Sequence, residues 1–176
     1  LEARADVIAE KINAEIGEPW ILWCETNDEA DALMARLPEF VEVRGNHSPD
    51  EKESKLISFS EGKARGIITK PSIAGFGLNW QHCARQAFIG LSFSYESYYQ
   101  AVRRSWRFGQ KRPVHVHIAC ADTERAIHDT VTRKAEDHGE MKTAMAKAMR
   151  NVAKAHEAKK SYQPKKEAML PAWLAA

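Results

Sequence analysis

The stretch that decides the fold reads QAVRRSWRFGQ and spans residues 100–110. Arg104 and Arg107 are three residues apart, so on a helix they share one face. Four apolar residues predict that this helix runs from about residue 94 to 108 and docks on a sheet, with Gly109 at its end: Tyr98, Tyr99, Val102 and Trp106. Paired guanidinium groups suit bidentate recognition of phosphate oxygens. A solvated helix with scattered arginines is an equal alternative on spacing alone.

Outward from this stretch, short apolar runs alternate with amphipathic segments. Five runs are predicted as strands: residues 20–24, 40–43, 66–69, 85–91 and 114–119. Thr26 and Ser48 are suited to cap helices between them, and Pro49 suits a first helical position. Strands that alternate with helices at this spacing predict an α/β domain with a mostly parallel sheet.

The sequence predicts three parts along the chain. Residues 1–17 form an N-terminal helix, residues 18–138 the α/β domain, and residues 139–176 a helical and loosely ordered extension. One helix is expected to end near Gly139, and a second, Met-rich one to run over residues 140–158. The first residue is not Met and no signal-peptide pattern follows it, so we expect a fragment of a longer protein.

Composition limits the class of protein. The net charge is +2, so any footprint for nucleic acid must be local. No apolar run approaches the roughly 18 residues of a membrane span. Cys24 and Cys120 lie in apolar runs and are predicted to be buried in the core of a protein from a reducing compartment. We expect a cytoplasmic protein.

Two segments carry a resemblance to a known family. Residues 100–110 resemble motif VI of superfamily-two helicases and translocases in the Swi/Snf-like form, and residues 72–80 (SIAGFGLNW) resemble motif V. The amino-acid sequence around residue 80 and over residues 92–110 is most similar to bacterial or phage members of this family. The resemblance covers about residues 18–120 and implies a RecA-like three-layer domain, the second motor lobe of an ATP-dependent helicase.

The resemblance also implies roles at an ATP site. Arg107 stands where the family has its arginine finger, Arg104 would face the triphosphate, and Gln100 would orient toward the nucleotide and water. Gly77 and Asn79 match positions that approach the nucleotide. Mg²⁺ would be held mainly by a missing N-terminal lobe, expected on the same polypeptide. The isolated chain is therefore expected to hydrolyse ATP negligibly.

The resemblance places nucleic acid, DNA before RNA, on two loops. Thr69 and Ser72 are candidates for contact with backbone phosphates. Gly45, Asn46 and His47 follow the second strand and resemble the family's loop on the tracking strand, although a simple helix-capping turn explains them equally well.

Three alternatives are weighed. Residues 28–31 spell Asp-Glu-Ala-Asp, but three residues separate them from the preceding strand, which suits a helix start and not a Walker B motif. His115, His117 and Cys120 do not share a strand face, so no metal site is predicted. A non-catalytic docking module that binds nucleic acid or a protein partner is the alternative function.

Overall fold

The fold is built on one five-stranded sheet. The computed structural model describes residues 1–74, 78–92, 94–121 and 125–157, with side chains to residue 151. The strands are β1 (Trp20–Trp23), β2 (Val41–Val43), β3 (Gly66–Thr69), β4 (Arg85–Phe88) and β5 (His115–Ile118). They lie in the order β2-β3-β1-β4-β5, and each neighbouring pair is parallel. The predicted α/β fold with a parallel sheet is confirmed.

Both faces of this sheet are covered by helices: α1 (Glu2–Ala14), α2 (Asn27–Met34), α3 (Pro49–Ser60) and α4 (Tyr95–Val102). Helix α5 (Arg125–Glu157) follows β5 in the chain. Buried residues of α1 and α2 form one apolar cluster with the sheet, and those of α3 and α4 form the other. The result is the three-layer arrangement that the sequence predicted.

The central strand β1 shows why this architecture forms. All four of its residues are buried. Trp20 and Leu22 belong to the cluster with α1 and α2, whereas Ile21 and Trp23 belong to the cluster with α3 and α4. Successive side chains of a strand point to opposite faces, so a strand that is apolar throughout must be covered on both.

The predicted helix caps at Thr26 and Ser48 are confirmed. The Thr26 hydroxyl accepts the N–H of Glu29 at 3.2 Å, and the Glu29 carboxylate accepts the N–H of Thr26 at 3.1 Å. Ser48 and Glu51 form the same reciprocal pair at the start of α3. The Asp-Glu-Ala-Asp string therefore lies in the first turns of α2, where a capping box uses its glutamate.

The predicted extent of the helix around residues 100–110 is wrong. Helix α4 ends at Val102, so Arg104 and Arg107 do not lie on one helical face. The carbonyl of Arg104 accepts the N–H of Trp80 at 3.0 Å, a bond to a different segment that replaces the next helical bond. Trp106, predicted to dock on the sheet, is 52% exposed.

Two predictions near the C-terminal end are also wrong. Helix α5 passes through Gly139 without interruption, since one glycine costs a helix only about 1 kcal/mol relative to alanine. Cys120, predicted to be buried, is exposed, whereas Cys24 is buried as predicted. Cys120 follows β5, a strand at the edge of the sheet, so its apolar neighbours do not place it in the core.

The chain divides into two compact units, Leu1–Ala135 and Glu136–Ala176. The first contains the sheet. The described part of the second is helical and exposes a row of methionines, Met141, Met145 and Met149. No helix among the described residues is both long enough and apolar enough to cross a membrane.

Candidate functional site

Hydrogen bonds join the segment before β4 to the segment after α4. The N–H of Trp80 donates to the carbonyl of Arg104 at 3.0 Å. The guanidinium of Arg107 donates to the carbonyl of Leu78 at 3.2 Å. These bonds bring the ends of the two motif-like segments together at the amino ends of the strands, because one segment leads into β4 and the other into β5. We call this group of residues, 78–81 and 103–110, the arginine edge.

Gln81 holds the arginine edge together, and sequence reasoning missed it. Its side-chain N–H donates to the carbonyl of Phe108 at 2.6 Å. Its own carbonyl accepts the side-chain amide of Gln110 at 2.8 Å, and its N–H donates to the side chain of Asn79 at 3.3 Å. No pattern in the sequence marks this residue beyond its position two after Asn79.

The two arginines of this edge influence one another. Arg104 is partly buried and Arg107 is exposed. Burial, and then the neighbouring guanidinium of Arg107, lower the pKa of Arg104 below its ordinary value. Arginine keeps its charge at physiological pH, so two positive charges lie close together with one of them partly desolvated. An anion bound between them would relieve both costs.

Three other residues are predicted to contact the nucleotide: Gln100, Asn79 and Gly77. Gln100 is exposed on α4, one turn before Arg104. Asn79 is exposed on the arginine edge itself and donates to the side chain of Gln81 at 3.3 Å. Gly77 lies outside the described residues. The structure thus brings Asn79, Arg104 and Arg107 into one network.

Arg103, for which the sequence suggested no role, has a defined contact. Its guanidinium carbon lies 5.5 Å from the centre of the Trp106 ring, within the range of a cation–π interaction. The backbone N–H of Trp106 donates to the carbonyl of Val102 at 3.0 Å, which fixes the main chain at this residue. The guanidinium of Arg103 thus covers one side of the indole, while about half of the residue's surface meets solvent.

The residues predicted to contact nucleic acid lie at the opposite end of the strands from the arginine edge. Gly45 follows β2 and Ser72 follows β3, so both lie at carboxyl ends of strands. A Cβ atom placed on Gly45 would lie 4.0 Å from the side chain of Ile73, so the two loops are neighbours. We call residues 44–47 and 70–74 the loop edge. Ser72 is exposed.

Thr69 has a different environment from the one its predicted role requires. It is 1% exposed, and its hydroxyl donates to the carbonyl of Val43 at 3.3 Å. In this structure the hydroxyl therefore joins the ends of β2 and β3 beneath the loop edge. A phosphate contact by Thr69 stays a prediction.

His47 presents one ring nitrogen to its own loop. Its Nδ1 accepts the N–H of Arg44 at 3.1 Å, and the ammonium of Lys55 lies 3.4 Å from the same atom. In the neutral imidazole the proton then belongs on Nε2, which is left as a donor. Asn46 beside it is exposed.

Two lysines add to this loop, and sequence reasoning missed both. Lys52 donates to the carbonyl of Gly45 at 2.7 Å, and Lys55 lies beside His47. Both come from the first turns of α3, three residues apart, where the helix faces back toward the loop. The capping pattern predicted the helix but not the direction in which its lysines point.

The arginine edge and the loop edge lie at opposite ends of the strands, so the length of a strand separates them. Strands β1, β3, β4 and β5 have four residues each, which at about 3.3 Å per residue is roughly 13 Å. The segment from Lys70 to Gln81 starts at the loop edge and ends at the arginine edge. A single connection therefore touches both groups of candidate residues.

Among the described residues there is no group of three or more His, Cys, Asp or Glu side chains that could hold a metal ion. His115 is exposed and the ring of His117 lies 5.6 Å from that of Trp20.

Comparison with known sequences identifies the family of the first unit. The family described as "Helicase conserved C-terminal domain" matches residues 3–109. The chain is 26% identical over 115 residues to a Dictyostelium discoideum protein described as "Probable ATP-dependent RNA helicase ddx41", which covers 63% of this chain and 17% of that protein. The chain thus spans about a sixth of the length of that relative.

Solved structures show the same fold. The C-terminal part of the Fun30 ATPase domain superposes with a TM-score of 0.65 at 20% identity, over 73% of this chain and 44% of that one. The C-terminal domain of the DEAD-box protein Dbp5 superposes with a TM-score of 0.66 at 19% identity, over 76% of this chain and 79% of that one. S. cerevisiae Dbp5 bound to RNA and ADP BeF3 superposes with a TM-score of 0.66 at 18% identity, over 75% of this chain and 36% of that one.

The parallel sheet, the two motif-like segments that it brings together and the family match over residues 3–109 agree, and this chain belongs to the helicase conserved C-terminal domain family.

Proposed function

We propose that this chain is the second motor lobe of an ATP-dependent nucleic-acid helicase or translocase, and that it supplies Arg104 and Arg107 to an ATP site shared with an N-terminal lobe. The observation that carries the proposal is the arginine edge, where Leu78, Trp80 and Gln81 hold the segment that bears both arginines. A surface helix with scattered arginines would need none of these bonds.

The residues present fit part of an ATP site. Arg104 and Arg107 are donors suited to phosphate oxygens, and Asn79 offers an amide near them. ATP with Mg²⁺ supplies the phosphoryl group whose transfer drives such motors. We propose that Mg²⁺ is held mainly by the N-terminal lobe; the residues of this chain that we assign to the nucleotide are donors and not metal ligands.

The hydrogen bond of Arg107 indicates how it acts. Its guanidinium now donates to the carbonyl of Leu78, an exposed bond that water can replace at little cost. The guanidinium can therefore turn from that carbonyl toward a phosphate when the first lobe approaches. Arg104 is partly buried, and we assign it the role of a fixed positive charge beside the moving one.

We propose that the loop edge binds the nucleic-acid backbone. Asn46, the Nε2 of His47 and the ammonium of Lys55 offer donors for phosphate oxygens without reading bases. We propose that DNA is the preferred partner. We also propose, from the sequence of residues 100–110, that the protein belongs to the Swi/Snf-like branch, of bacterial or phage type. RNA is the other outcome of the test, since relatives include a protein named as an RNA helicase.

The decisive experiment is nucleic-acid-stimulated ATP hydrolysis by the parent protein with both lobes. Arg107→Ala should lower kcat roughly a thousandfold, the scale of an arginine finger, while ATP binding is largely kept. Arg150→Ala is the matched control, because it removes an exposed arginine from α5. Turnover by Arg107→Ala at the parent's rate would remove Arg107 from this role.

The nucleic-acid proposal is tested separately. Lys55→Ala should weaken binding of single-stranded DNA and flatten the dependence of log K on log salt by about 0.7, one phosphate contact, whereas His47→Ala should weaken binding without changing the slope, because a neutral donor releases no counterion. Lys63→Ala, an exposed lysine beyond the end of α3, should leave the slope unchanged. Equal slopes for all three variants would contradict the assignment, and tighter binding of RNA would correct the preference for DNA.

The isolated chain is the third test. With half of the proposed site, it should show no steady-state ATP hydrolysis above background, with or without nucleic acid. Turnover by the purified chain alone would overturn the shared-site proposal.

A further inference from the structure

Two large apolar side chains stand in solvent on either side of Arg107. Trp106 is 52% exposed and Phe108 is 101% exposed. Aromatic side chains bury about 150–250 Å² each when they are covered, so this pair is a substantial apolar surface next to a charged residue. Aromatic residues are enriched at protein interfaces relative to the rest of the surface, so an exposed pair beside a candidate functional arginine is a candidate contact surface.

The backbone beneath these rings is fixed. The carbonyl of Phe108 accepts the side chain of Gln81 at 2.6 Å, and Arg103 stacks on the Trp106 ring at 5.5 Å. Gly109 has φ +92°, a conformation that turns the chain immediately after Phe108. The turn therefore fixes where both side chains leave the backbone, which reduces the main-chain entropy lost when a partner covers them.

We propose that Trp106 and Phe108 form the apolar anchor on which the N-terminal lobe of the same motor docks when the ATP site closes. The proposal rests on the proposed function, because it takes Arg107 to face that lobe. The residues immediately before and after Arg107 must then meet the same surface. One of the matched structures is itself the C-terminal part of an ATPase domain, so a preceding part exists in that protein.

The geometry favours a protein surface over the base of a nucleotide. Trp106 has one ring face taken by Arg103, and Phe108 has its whole side chain in solvent. A base that stacked on one of the two would leave the other uncovered, since an arginine lies between them in the chain. A lobe surface is wide enough to cover both and to form the dry rim around the charged contact that Arg107 makes.

The test uses the parent protein with one dye on each lobe, so that closure is read by energy transfer and not by activity. Trp106→Ala with Phe108→Ala should reduce the equilibrium constant for closure, in the presence of a non-hydrolysable ATP analogue and DNA, by about tenfold or more. Trp106→Phe with Phe108→Leu keeps apolar surface and should restore most of the closed fraction. Ile16→Ala, which removes a side chain that is 89% exposed at the end of the α1 segment, is the matched control and should have no effect.

Three results separate this inference from the function on which it rests. The alanine pair should lower the melting temperature of the parent by no more than about a few degrees, because neither side chain is in the core and only the exposed contact of Arg103 with Trp106 is lost. If it closes like the parent while Arg107→Ala is inactive, the anchor is overturned and the proposed function stands. If Arg107→Ala remains active, the proposed function fails, whatever the closure measurement gives.

Two further outcomes would show that Trp106 and Phe108 contact something other than the N-terminal lobe. Quenching of Trp106 fluorescence in the isolated chain by ATP alone, absent in Trp106→Phe, would assign the ring to the nucleotide base and overturn the anchor. Loss of DNA binding by the alanine pair, with closure unchanged, would assign the rings to nucleic acid and overturn it equally.

Discussion

Trp80 and Trp106 belong to the two segments that form the arginine edge, and they have opposite surroundings. Trp80 is 0% exposed, and its ring lies 5.3 Å from that of Phe59 and 6.0 Å from that of Trp23. Trp106 is 52% exposed and contacts Arg103. The arginine edge thus has an inner side, which belongs to the core, and an outer side, whose shape depends on hydrogen bonds and turns. Changes on the two sides should have separable effects on stability and on function.

The largest difference should come from the tryptophans themselves. Trp80→Ala should lower the free energy of unfolding by about 3–5 kcal/mol, because it leaves a cavity and removes the hydrogen bond from the indole to Ser60 at 2.9 Å. Trp106→Ala should cost at most about 1 kcal/mol, the scale of an exposed cation–π contact. Urea denaturation of both variants measures the contrast, and equal losses would show that the two sides are one packing unit.

Two glutamines extend the comparison. Gln86 is fully buried on β4, where it accepts the indole N–H of Trp23 at 2.8 Å and donates to the carbonyl of Val102 at 3.1 Å. Gln86→Leu should cost about 1–3 kcal/mol, because the buried indole N–H of Trp23 would be left without its bond, whereas the carbonyl of Val102 keeps the N–H of Trp106. Gln81→Ala, on the outer side, should cost about 0.5 kcal/mol or less and should instead speed amide exchange in residues 106–110. Exchange that stays slow in Gln81→Ala would show that Gln81 does not hold the turn.

The turn at Gly109 should have an intermediate effect. With φ +92° the residue lies in the left-handed region, where a side chain is strained. Gly109→Ala should lower the free energy of unfolding by about 1–2 kcal/mol, and Gly109→Asn by less, since asparagine tolerates this region best. Thermal denaturation of the parent and both variants measures this order of stability. An alanine variant as stable as the parent would mean that the outer side does not depend on this turn.

The smallest effect should come from Glu25, a solvent-exposed residue that lies just after β1. Partial desolvation of its carboxylate raises its pKa above the ordinary 4.5, and Glu29 adds to this, while the bond with Ser92 and the charge of Lys70 oppose it. The folded state then binds more protons than the unfolded one between 4.5 and the raised value, so stability falls as pH rises through that window. Glu25→Gln should remove this decline without changing stability at lower pH.

Unfolding measured from pH 4 to pH 8 tests this. Glu15 and Glu51 have lowered pKa values, so their contributions change below 4.5 and do not overlap the window. A slope above pH 4.5 that is the same in parent and Glu25→Gln would mean that the carboxylate is as well solvated in the folded chain as in the unfolded one.

Local chemistry made much of the fold predictable. Thr26 and Ser48 each precede a glutamate by three residues, and both capping boxes formed. The four residues of β3 are apolar or β-branched apart from one glycine, and the strand has the predicted bounds. In these elements propensity, pattern and burial agree, so no distant residue was needed to decide them.

The end of α4 was not predictable from the sequence, because distant residues determine it. Residues 103–108 contain no helix breaker, and local preference favours continuation to Gly109. Bonds from Trp80 to the carbonyl of Arg104 and from Arg107 to that of Leu78 decide otherwise. The motif resemblance identified Asn79, Arg104 and Arg107, but it could not show that the two arginines lie on turns, and it did not mark Gln81.

The loop edge shows the same limit. Gly45, Asn46 and His47 were candidates from their position after β2, but Lys52 and Lys55 were assigned only to a helix. Which way a helical lysine points depends on how the helix packs, here with Phe59 buried against the sheet. A pattern of apolar residues fixes the buried side of such a helix and leaves the contacts of its exposed side open.

The strand order has a consequence for how this chain is made. Trp20 pairs with Gly66 on one side and with Arg85 on the other, so the central strand has both of its neighbours far downstream. Parallel pairs of this kind close long loops and form slowly. During synthesis at about 5–20 residues per second, β1 waits several seconds after leaving the ribosome before β4 follows. The nascent chain therefore carries an apolar strand with a bare edge over that interval, when chaperones that bind such segments have their best opportunity to act.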